Sequence, residues 1–236
     1  MKLSSILQVG IFLERPNRFT AWIDINSVPT MVHVPNSGRM GELLRKGTTV
    51  LLTPIAGTER KTNYDLSLVK FNHTLIAIDS RMPTVLVHEA FANGQLEQFS
   101  NYTWTKREVQ FSDSRLDMVI GNDELCYIET KSVTLVENDI ALFPDAPTSR
   151  GVRHINALTR AVNEGHRAAI ILVVQRNDVS AFSTNYKADP QFSDSLSLAK
   201  TAGVEVYAYR CRVSLEEVIL TEPLHVHIQN RPEVSS

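Results

Sequence analysis

The residues best suited to chemistry lie in the stretch SRLDMVIGNDELCYIETKS, residues 114 to 132. Asp117 precedes a polar turn, and Glu129 and Lys131 follow it, separated by one residue. Two carboxylates can hold Mg²⁺ or Mn²⁺ through oxygen ligands, and a lysine can position or deprotonate a water molecule or stabilise charge on a phosphate. Asp117, Glu129 and Lys131 are therefore candidate catalytic residues, and Asp117 and Glu129 are candidate metal ligands.

Strand register decides whether these two carboxylates meet. Side chains alternate along a strand, so Glu129 and Lys131 share one face, opposite Cys126 and Ile128. If the apolar faces of the two strands lie together, residue 118 pairs with residue 128, and the connecting loop has about three residues. Core packing then predicts that Asp117 lies opposite Glu129.

Arg115 faces Lys131 in this register, and two interpretations of the charged face follow. Directly opposed carboxylates repel each other unless a cation or a proton intervenes, which favours a metal site. Alternatively, Arg115 and Lys131 neutralise Asp117 and Glu129 in a solvated face. With 26 acidic residues in the chain, chance alone produces about one Asp/Glu-x-Lys match, so the three residues do not choose between these interpretations.

The elements that must position this stretch alternate between strand and helix from residue 82 onward. "PTVLVHEAFANG" begins with proline and ends with Asn-Gly, as a short helix does. "TSRGVRHINALTRAVNEG" predicts a helix capped by Ser149 and stopped by Gly165. The strand "AAIILVVQ", the helix "SDSLSLAKTAG" and the strand "VEVYAYRCRV" follow it. The pattern predicts an α/β domain with a mixed sheet over residues 82–236.

The chain up to residue 81 predicts a different architecture. Six short strand-like runs are separated by turns such as "PNSG", which indicates a small all-β barrel or sandwich over residues 1–81. This part has 10 Lys and Arg against 6 Asp and Glu, whereas the remainder has 14 against 20. The basic part is suited to phosphates and the acidic part to a divalent cation, although surface variation for solubility explains the imbalance equally well.

Composition indicates a soluble protein with a sizeable core. The 236 residues are 43% hydrophobic and 21% charged, and the net charge of −2 lacks the overall basic character of many nucleic-acid binders. There is no run of 18 apolar residues and no secretory leader at the start, so we expect a cytoplasmic protein without a membrane partner. Cys126 and Cys211 lie in apolar strand-like runs and are predicted to be reduced core thiols.

Longer matches in order across nearly the whole chain carry a family resemblance. The segments "RPNRFTAWI", "HVPNSGRMGELL", "SRLDMVI", "YIETKSVTL", "FPDAPTSRGVRHINAL" and "DPQFSDSL" resemble the bacterial sugar fermentation stimulation protein family. The resemblance implies an N-terminal OB-like barrel followed by a PD-(D/E)xK nuclease-like domain. It also implies DNA binding without sequence preference and a part in regulating sugar, particularly maltose, metabolism.

The carried-over site residues are Asp117 as the first acid, Glu129 as the second and Lys131 as the lysine. Leu-Asp replaces the Pro-Asp of the nuclease pattern, which leaves the carboxylate in place. Glu-Thr-Lys replaces the usual Glu-Val-Lys, and Thr130 is expected on the opposite face, outside the site. Many nucleases of this fold add an acid from the first helix, for which Glu89 in "LVHEAF" is the candidate metal ligand; a solvated helix glutamate is the alternative.

Basic residues near these motifs are candidates for contacting a nucleic-acid backbone. The turn "PNSGRM" can present backbone N–H groups and an arginine to phosphate, although an ordinary structural turn explains it equally well. The first turns of the helix after Lys131 can reach neighbouring phosphates. The candidates are Arg18, Arg39, Arg115, Arg150, Arg153 and His154.

Two functions from different classes follow. The leading prediction is a DNA-binding protein with a regulatory role, built on a nuclease scaffold. Its rival is a nuclease that cuts DNA or RNA with Mg²⁺ or Mn²⁺. Either protein is predicted to bind nucleic acid without strong sequence preference, and the oligomeric state stays open.

Overall fold

The structure is a computed structural model that describes residues 1–4, 6–55 and 60–229, and its first six strands build a barrel. These strands are β1 (Gln8–Asn17), β2 (Thr20–Ile25), β3 (Val28–His33), β4 (Thr49–Pro54), β5 (Tyr64–Phe71) and β6 (Thr74–Ala77). Their order is β3-β2-β1-β4-β5-β6, and a parallel contact between His33 on β3 and Asp65 on β5 closes β1 to β5 into a ring. This is the OB barrel that the resemblance implied.

The barrel encloses its own apolar core. Phe12, Ile23 and Leu52 point inward from three different strands and are almost fully buried. Met40 and Leu43 join them from the segment between β3 and β4. The segment that contains "PNSGRM" is therefore anchored to the barrel by buried side chains.

In the second domain, the described residues form three helices, one short 3-10 helix and ten strands. They are α1 (Met82–Ala92), the 3-10 helix Glu97–Phe99, β7 (Trp104–Phe111), β8 (Ser114–Gly121), β9 (Leu125–Val133), β10 (Leu135–Glu137), β11 (Ile140–Phe143), α2 (Ser149–Asn163), β12 (Arg167–Val174), β13 (Ala181–Thr184), α3 (Pro190–Thr201), β14 (Glu205–Val213), β15 (Val218–Pro223) and β16 (His225–His227). The large sheet has the order β15-β14-β12-β9-β8-β7. β12 runs parallel to β9 and β14, whereas β7, β8 and β15 pair antiparallel, so the predicted mixed-sheet α/β domain is confirmed.

Helices cover both faces of the large sheet. Along β12, Ile170 and Leu172 pack toward α2 and α3, whereas Ile171 and Val173 pack toward α1. Burial on both sides explains the uninterrupted apolar run of this strand. The two faces of the neighbouring strand β9 are consequently directed toward different helices.

Details of the predicted elements need correction. The cap of α2 is Thr148 rather than Ser149, because the Thr148 side chain accepts a hydrogen bond from the Gly151 amide. α3 begins at Pro190, before the predicted "SDSLSLAKTAG", because Asp189 caps it through the Phe192 amide. A small sheet with the order β10-β11-β13-β16 was not predicted, since its strands have only three or four residues.

Cys126 and Cys211 are buried free thiols, as predicted. Within the described residues, none of the helices combines the length and apolarity needed to cross a membrane.

The barrel and the α/β domain share part of one core. Leu51, Leu68 and Ala77 of the barrel belong to the apolar cluster that includes α1. The Ala77 amide donates to the carbonyl oxygen of Gln175, the residue after β12, at 3.0 Å. The predicted boundary between residues 81 and 82 stays a prediction, and α1 begins at Met82.

We expect Asp65→Asn to destabilise the barrel by about 2 kcal/mol at pH 7, because a buried charged acceptor is lost. The Asp65 side chain is 5% exposed and accepts hydrogen bonds from Arg60 and Arg81 and from the His33 ring. Burial raises the pKa of Asp65, but the bonds from Arg81 and His33 and the charge of Arg60 outweigh it and leave the pKa below its ordinary value.

Urea unfolding of both proteins at several pH values measures this effect. A lowered pKa stabilises the fold above the unfolded value of about 3.9, so the difference should shrink as the pH falls through the folded value. Asp24→Asn is the matched control, because the partly exposed Asp24 on β2 has no ion pair among the residues described. Equal losses in the two variants would contradict the prediction.

Candidate active site

The hairpin of β8 and β9 has the predicted register. Met118 pairs with Ile128 and Ile120 with Cys126, and Asn122 to Glu124 form the three-residue loop. The ladder ends at Met118 and Ile128, where the Asp117 amide donates to Glu129 Oε2 at 3.3 Å. The two acids are therefore adjacent at the point where the strands separate.

Glu129 is an almost fully buried carboxylate with two side-chain partners in addition to the Asp117 amide. Its side chain is 2% exposed, and its Oε1 contacts both the Lys131 ammonium and Nδ1 of His154. Arg150 Nε donates to His154 Nε2 at 3.3 Å, which leaves the imidazole proton on Nδ1, facing Glu129. Burial raises the pKa of Glu129, but the Lys131 charge and the His154 hydrogen bond outweigh it, so the pKa is lowered and Glu129 is ionised.

Asp117 has different partners. Its Oδ2 accepts from the Thr130 amide at 2.8 Å and from Thr130 Oγ1 at 2.6 Å. Thr130 Oγ1 in turn lies 3.0 Å from Thr84 Oγ1 on α1. Burial raises the pKa of Asp117, and the charge of Glu129 raises it further. The two neighbouring acids thus have pKa values shifted in opposite directions.

A cleft of about 890 Å³ between the barrel and the α/β domain exposes this site. Asp117, Glu129 and Lys131 lie in its wall, together with the hydroxyl groups of Thr84 and Ser132. The predicted phosphate contacts in the lining are Arg18, Arg39 and Arg150. The cleft therefore combines an acidic pair with several cations.

Glu89 is not assembled with the acidic pair, which corrects the prediction that it is a third ligand. It pairs with the N-terminal amino group at 2.6 Å, is 45% exposed and is absent from the cleft wall. Thr84 is the α1 residue that faces the site, and Glu89, five residues later, points about 140° away from it around the helix.

Three of the predicted backbone contacts also lie outside the cleft wall. Arg115 is exposed and pairs with Glu108 at 3.3 Å. It does not pair with Lys131, because the ladder between β8 and β9 ends at Met118 and Ile128. Arg153 is exposed on α2, and His154 is buried behind Glu129. For His154 the geometry indicates positioning of Glu129 rather than contact with a phosphate.

Thr130 is a site residue that sequence reasoning missed. Strict alternation predicts that it faces away from Asp117. However, β8 changes face at Asp117, because Leu116 packs toward α2 whereas Met118 packs toward α1. Opposite Asp117, Glu108 on β7 has a φ of 55° and does not pair. The sequence signal for the role of Thr130 was that threonine stands at a position where the family usually has valine.

The donors of the site fit a hard divalent cation. Asp117 Oδ1 accepts no hydrogen bond from the described residues, and Glu129 Oε2 accepts only the long bond from the Asp117 amide. Mg²⁺ commonly uses one or two carboxylates and completes its octahedron with water and substrate phosphate. Within the described part of the chain, no group of three His, Cys, Asp or Glu side chains is arranged to hold a metal ion. Asp117 and Glu129 are the residues that would hold one.

Fold and site together define a class of protein in which an OB barrel precedes a mixed-sheet α/β domain with an acidic pair and a lysine in the cleft between them. The model of the SfsA N-terminal OB domain matches residues 13–78, and that of the sugar fermentation stimulation protein RE domain matches residues 81–217. The chain belongs to the sugar fermentation stimulation protein family.

Relatives cover nearly the whole chain. A sugar fermentation stimulation protein homolog of Alkaliphilus metalliredigens is 44% identical over 220 residues, which are 92% of this chain and 95% of that protein. One from Clostridium perfringens is 42% identical over 228 residues, 96% of this chain and 99% of that protein. The structure of Pyrococcus furiosus SfsA in complex with Ca²⁺ has 33% identity and a TM-score of 0.88, covering 96% of this chain and 99% of that one.

We expect Glu129→Gln to lower the pKa of Asp117, because it removes the neighbouring negative charge and frees Lys131 to interact with Asp117. Burial remains, so the pKa should move only part of the way to its ordinary value. Carboxyl ¹³C NMR titration in metal-free buffer measures it. Glu124→Gln, in the exposed hairpin loop, is the control that should leave Asp117 unchanged. An unchanged or higher pKa in Glu129→Gln would show that the two acids are not coupled.

Proposed function

We propose that the cleft binds the backbone of nucleic acid, and of DNA in particular, without strong sequence preference. The observation that carries this proposal is the set of arginines beside the acidic pair. Among the described residues, the guanidinium groups of Arg18 and Arg39 have no ion-pair partner, although both line the cleft. Unpaired guanidinium groups favour phosphate oxygens, which are the same for every base sequence. The family's OB barrel supports this proposal as well.

Salt-dependent binding tests it. The affinity for two unrelated DNA duplexes, measured by fluorescence anisotropy, should be similar and should fall steeply with added salt. Arg39→Ala should weaken binding to both duplexes and reduce the slope of log K against log salt by about one. Arg107→Ala, on the exposed edge strand β7, removes the same charge outside the cleft and should change neither value. Absent or salt-insensitive binding would refute the proposal.

A second function is metal-dependent hydrolysis of the bound phosphodiester. It is favoured by the contact of Lys131 with a buried, ionised Glu129 beside Asp117. When bound by Asp117 and Glu129, a divalent cation supplies Lewis-acid stabilisation of the phosphate and lowers the pKa of a water molecule. The structure of the Pyrococcus furiosus relative is a complex with Ca²⁺, which supports the binding of a divalent cation by this chain.

The chain's own residues have separate parts in this reaction. The Lys131 ammonium, 13% exposed in the cleft wall, can donate to a phosphate oxygen or to the attacking water. His154 holds the Glu129 carboxylate, and Arg150 holds His154. Through its two bonds to Asp117, Thr130 leaves Oδ1 of that residue available.

Cation binding and cleavage are measured separately. Isothermal titration with Mn²⁺ should give a site that Asp117→Asn weakens at least about tenfold, because one charged ligand is lost. The control Asp123→Asn lies in the hairpin loop outside the cleft and should retain the site. With Mg²⁺ or Mn²⁺, DNA or RNA should be cut, and Lys131→Met should slow cutting at least about 100-fold. Equal cutting by Lys131→Met would show that a contaminating nuclease cuts the substrate. Binding of nucleic acid without any cutting would refute hydrolysis and support only the first proposal.

A role in regulating sugar metabolism is proposed from the family name. The particular link to maltose is proposed from the family resemblance of the sequence. The cytoplasm is the compartment in which we propose that the protein meets DNA and Mg²⁺ or Mn²⁺.

A further inference from the structure

We propose that the barrel turn of residues 36–40, here called the amide turn, is an oxyanion subsite of the cleft that the Asp145 carboxylate fills when no nucleic acid is bound. A backbone phosphate would displace Asp145 and take its hydrogen bonds. The identity of this ligand rests on the proposed function, whereas the chemistry of the subsite does not.

The contact between Asp145 and the amide turn shows that this turn accepts an oxyanion. Asp145 Oδ2 accepts from the Arg39 amide at 2.6 Å and from the Met40 amide at 3.3 Å. Two successive N–H groups directed at one oxygen form a backbone nest, an arrangement that also receives phosphate oxygens in proteins. Asp145 lies between β11 and α2, so the anion in the nest comes from the other domain.

The fold holds these amides in place independently of Asp145. Arg15 donates to the carbonyl oxygens of Asn36, Gly38 and Arg39 at 2.6 to 2.9 Å, which turns the carbonyl groups toward its guanidinium. Met40 has a φ of 49°, and its side chain is 1% exposed in the barrel core. The nest is therefore built by the barrel and does not need the carboxylate to form.

The approach to the nest suits an anion. A Cβ at Gly38 would lie 2.7 Å from Asp145 Oδ2, so this glycine leaves the space that the oxygen occupies. Arg15 adds a positive charge behind the turn, and the Arg39 side chain lines the cleft in front of it. A phosphate presents more oxygens than the single one that Asp145 contributes, and it can also contact Arg39. Asp117 and Glu129 lie in the wall of the same cleft, so one bound strand can reach both places.

The alternative is that the contacts of Asp145 serve only to hold the two domains together, here called a clamp. The two interpretations predict opposite effects of removing Asp145 on the affinity for nucleic acid. If Asp145 competes with phosphate, its removal should improve binding. If Asp145 only clamps the domains, its removal should loosen the cleft and weaken binding.

The first experiment compares Asp145→Ala with Asp123→Ala, which changes the net charge equally outside the cleft. DNA binding by Asp145→Ala should tighten at least about threefold, and the slope of log K against log salt should steepen by about one, as expected for one more phosphate contact. Asp123→Ala should match the wild type. Unchanged or weaker binding by Asp145→Ala would overturn the proposal.

The second experiment uses inorganic phosphate and tripolyphosphate as probes, so it does not depend on DNA binding. Both should raise the melting temperature of Asp145→Ala more than that of the wild type, whereas chloride at equal ionic strength should not. Gly38→Ala in the Asp145→Ala background should remove the gain, because its Cβ fills the nest.

The combined outcomes separate the two proposals. A phosphate response in Asp145→Ala without any DNA binding would refute the proposed function and leave the subsite. DNA binding without that response would refute the subsite. Asp145→Asn keeps the shape of the side chain and removes its charge, so it should show a smaller gain and decides the matter if Asp145→Ala does not fold. Failure of both variants to fold would identify a clamp and overturn the proposal.

Discussion

The burial of one charge, the Glu129 carboxylate, is the constraint around which the site is organised. An ionised acid that is 2% exposed must be compensated, and Lys131 and His154 supply this compensation. The requirement places α2 against β9 and directs the lysine toward the acid two residues before it. It also leaves Asp117 beside an existing negative charge, which helps to raise its pKa. A second positive charge at this place, from a cation, would relieve that repulsion.

Both domains contribute charged groups to the cleft. The barrel contributes Arg18, Arg39 and a turn with outward-facing amides, whereas the sheet contributes the acids and the lysine. Helix α2 adds Arg150 to the lining. The net charge of −2 conceals this local set of cations, which lies beside the acidic pair in one cleft.

The contacts of residues could be predicted from the sequence where apolar packing fixes the strand register. They could not be predicted where the strand departs from regular alternation or where the contact joins distant parts of the chain. The hairpin register followed from Met118, Ile120, Cys126 and Ile128 because only one alignment buries all four. Thr130 was assigned away from Asp117 because alternation takes no account of the change of face in β8. Glu89 was the candidate ligand because the resemblance implies an acid from the first helix, whereas the position around α1 that faces the site is that of Thr84. Asp145 meets a turn more than 100 residues away in sequence, and no local pattern encodes such a contact.

Because the barrel and the α/β domain share a core, recombination cannot exchange one of them without exposing apolar surface on the other. The family is described by two adjoining segments, yet Leu51, Leu68 and Ala77 of the first lie in the apolar cluster of the second. Fragments cut between residues 81 and 82 would each expose an apolar surface that only the other fragment covers. Each of the two family segments is thus smaller than the unit that folds cooperatively. Neither segment alone is suited to fusion with another protein.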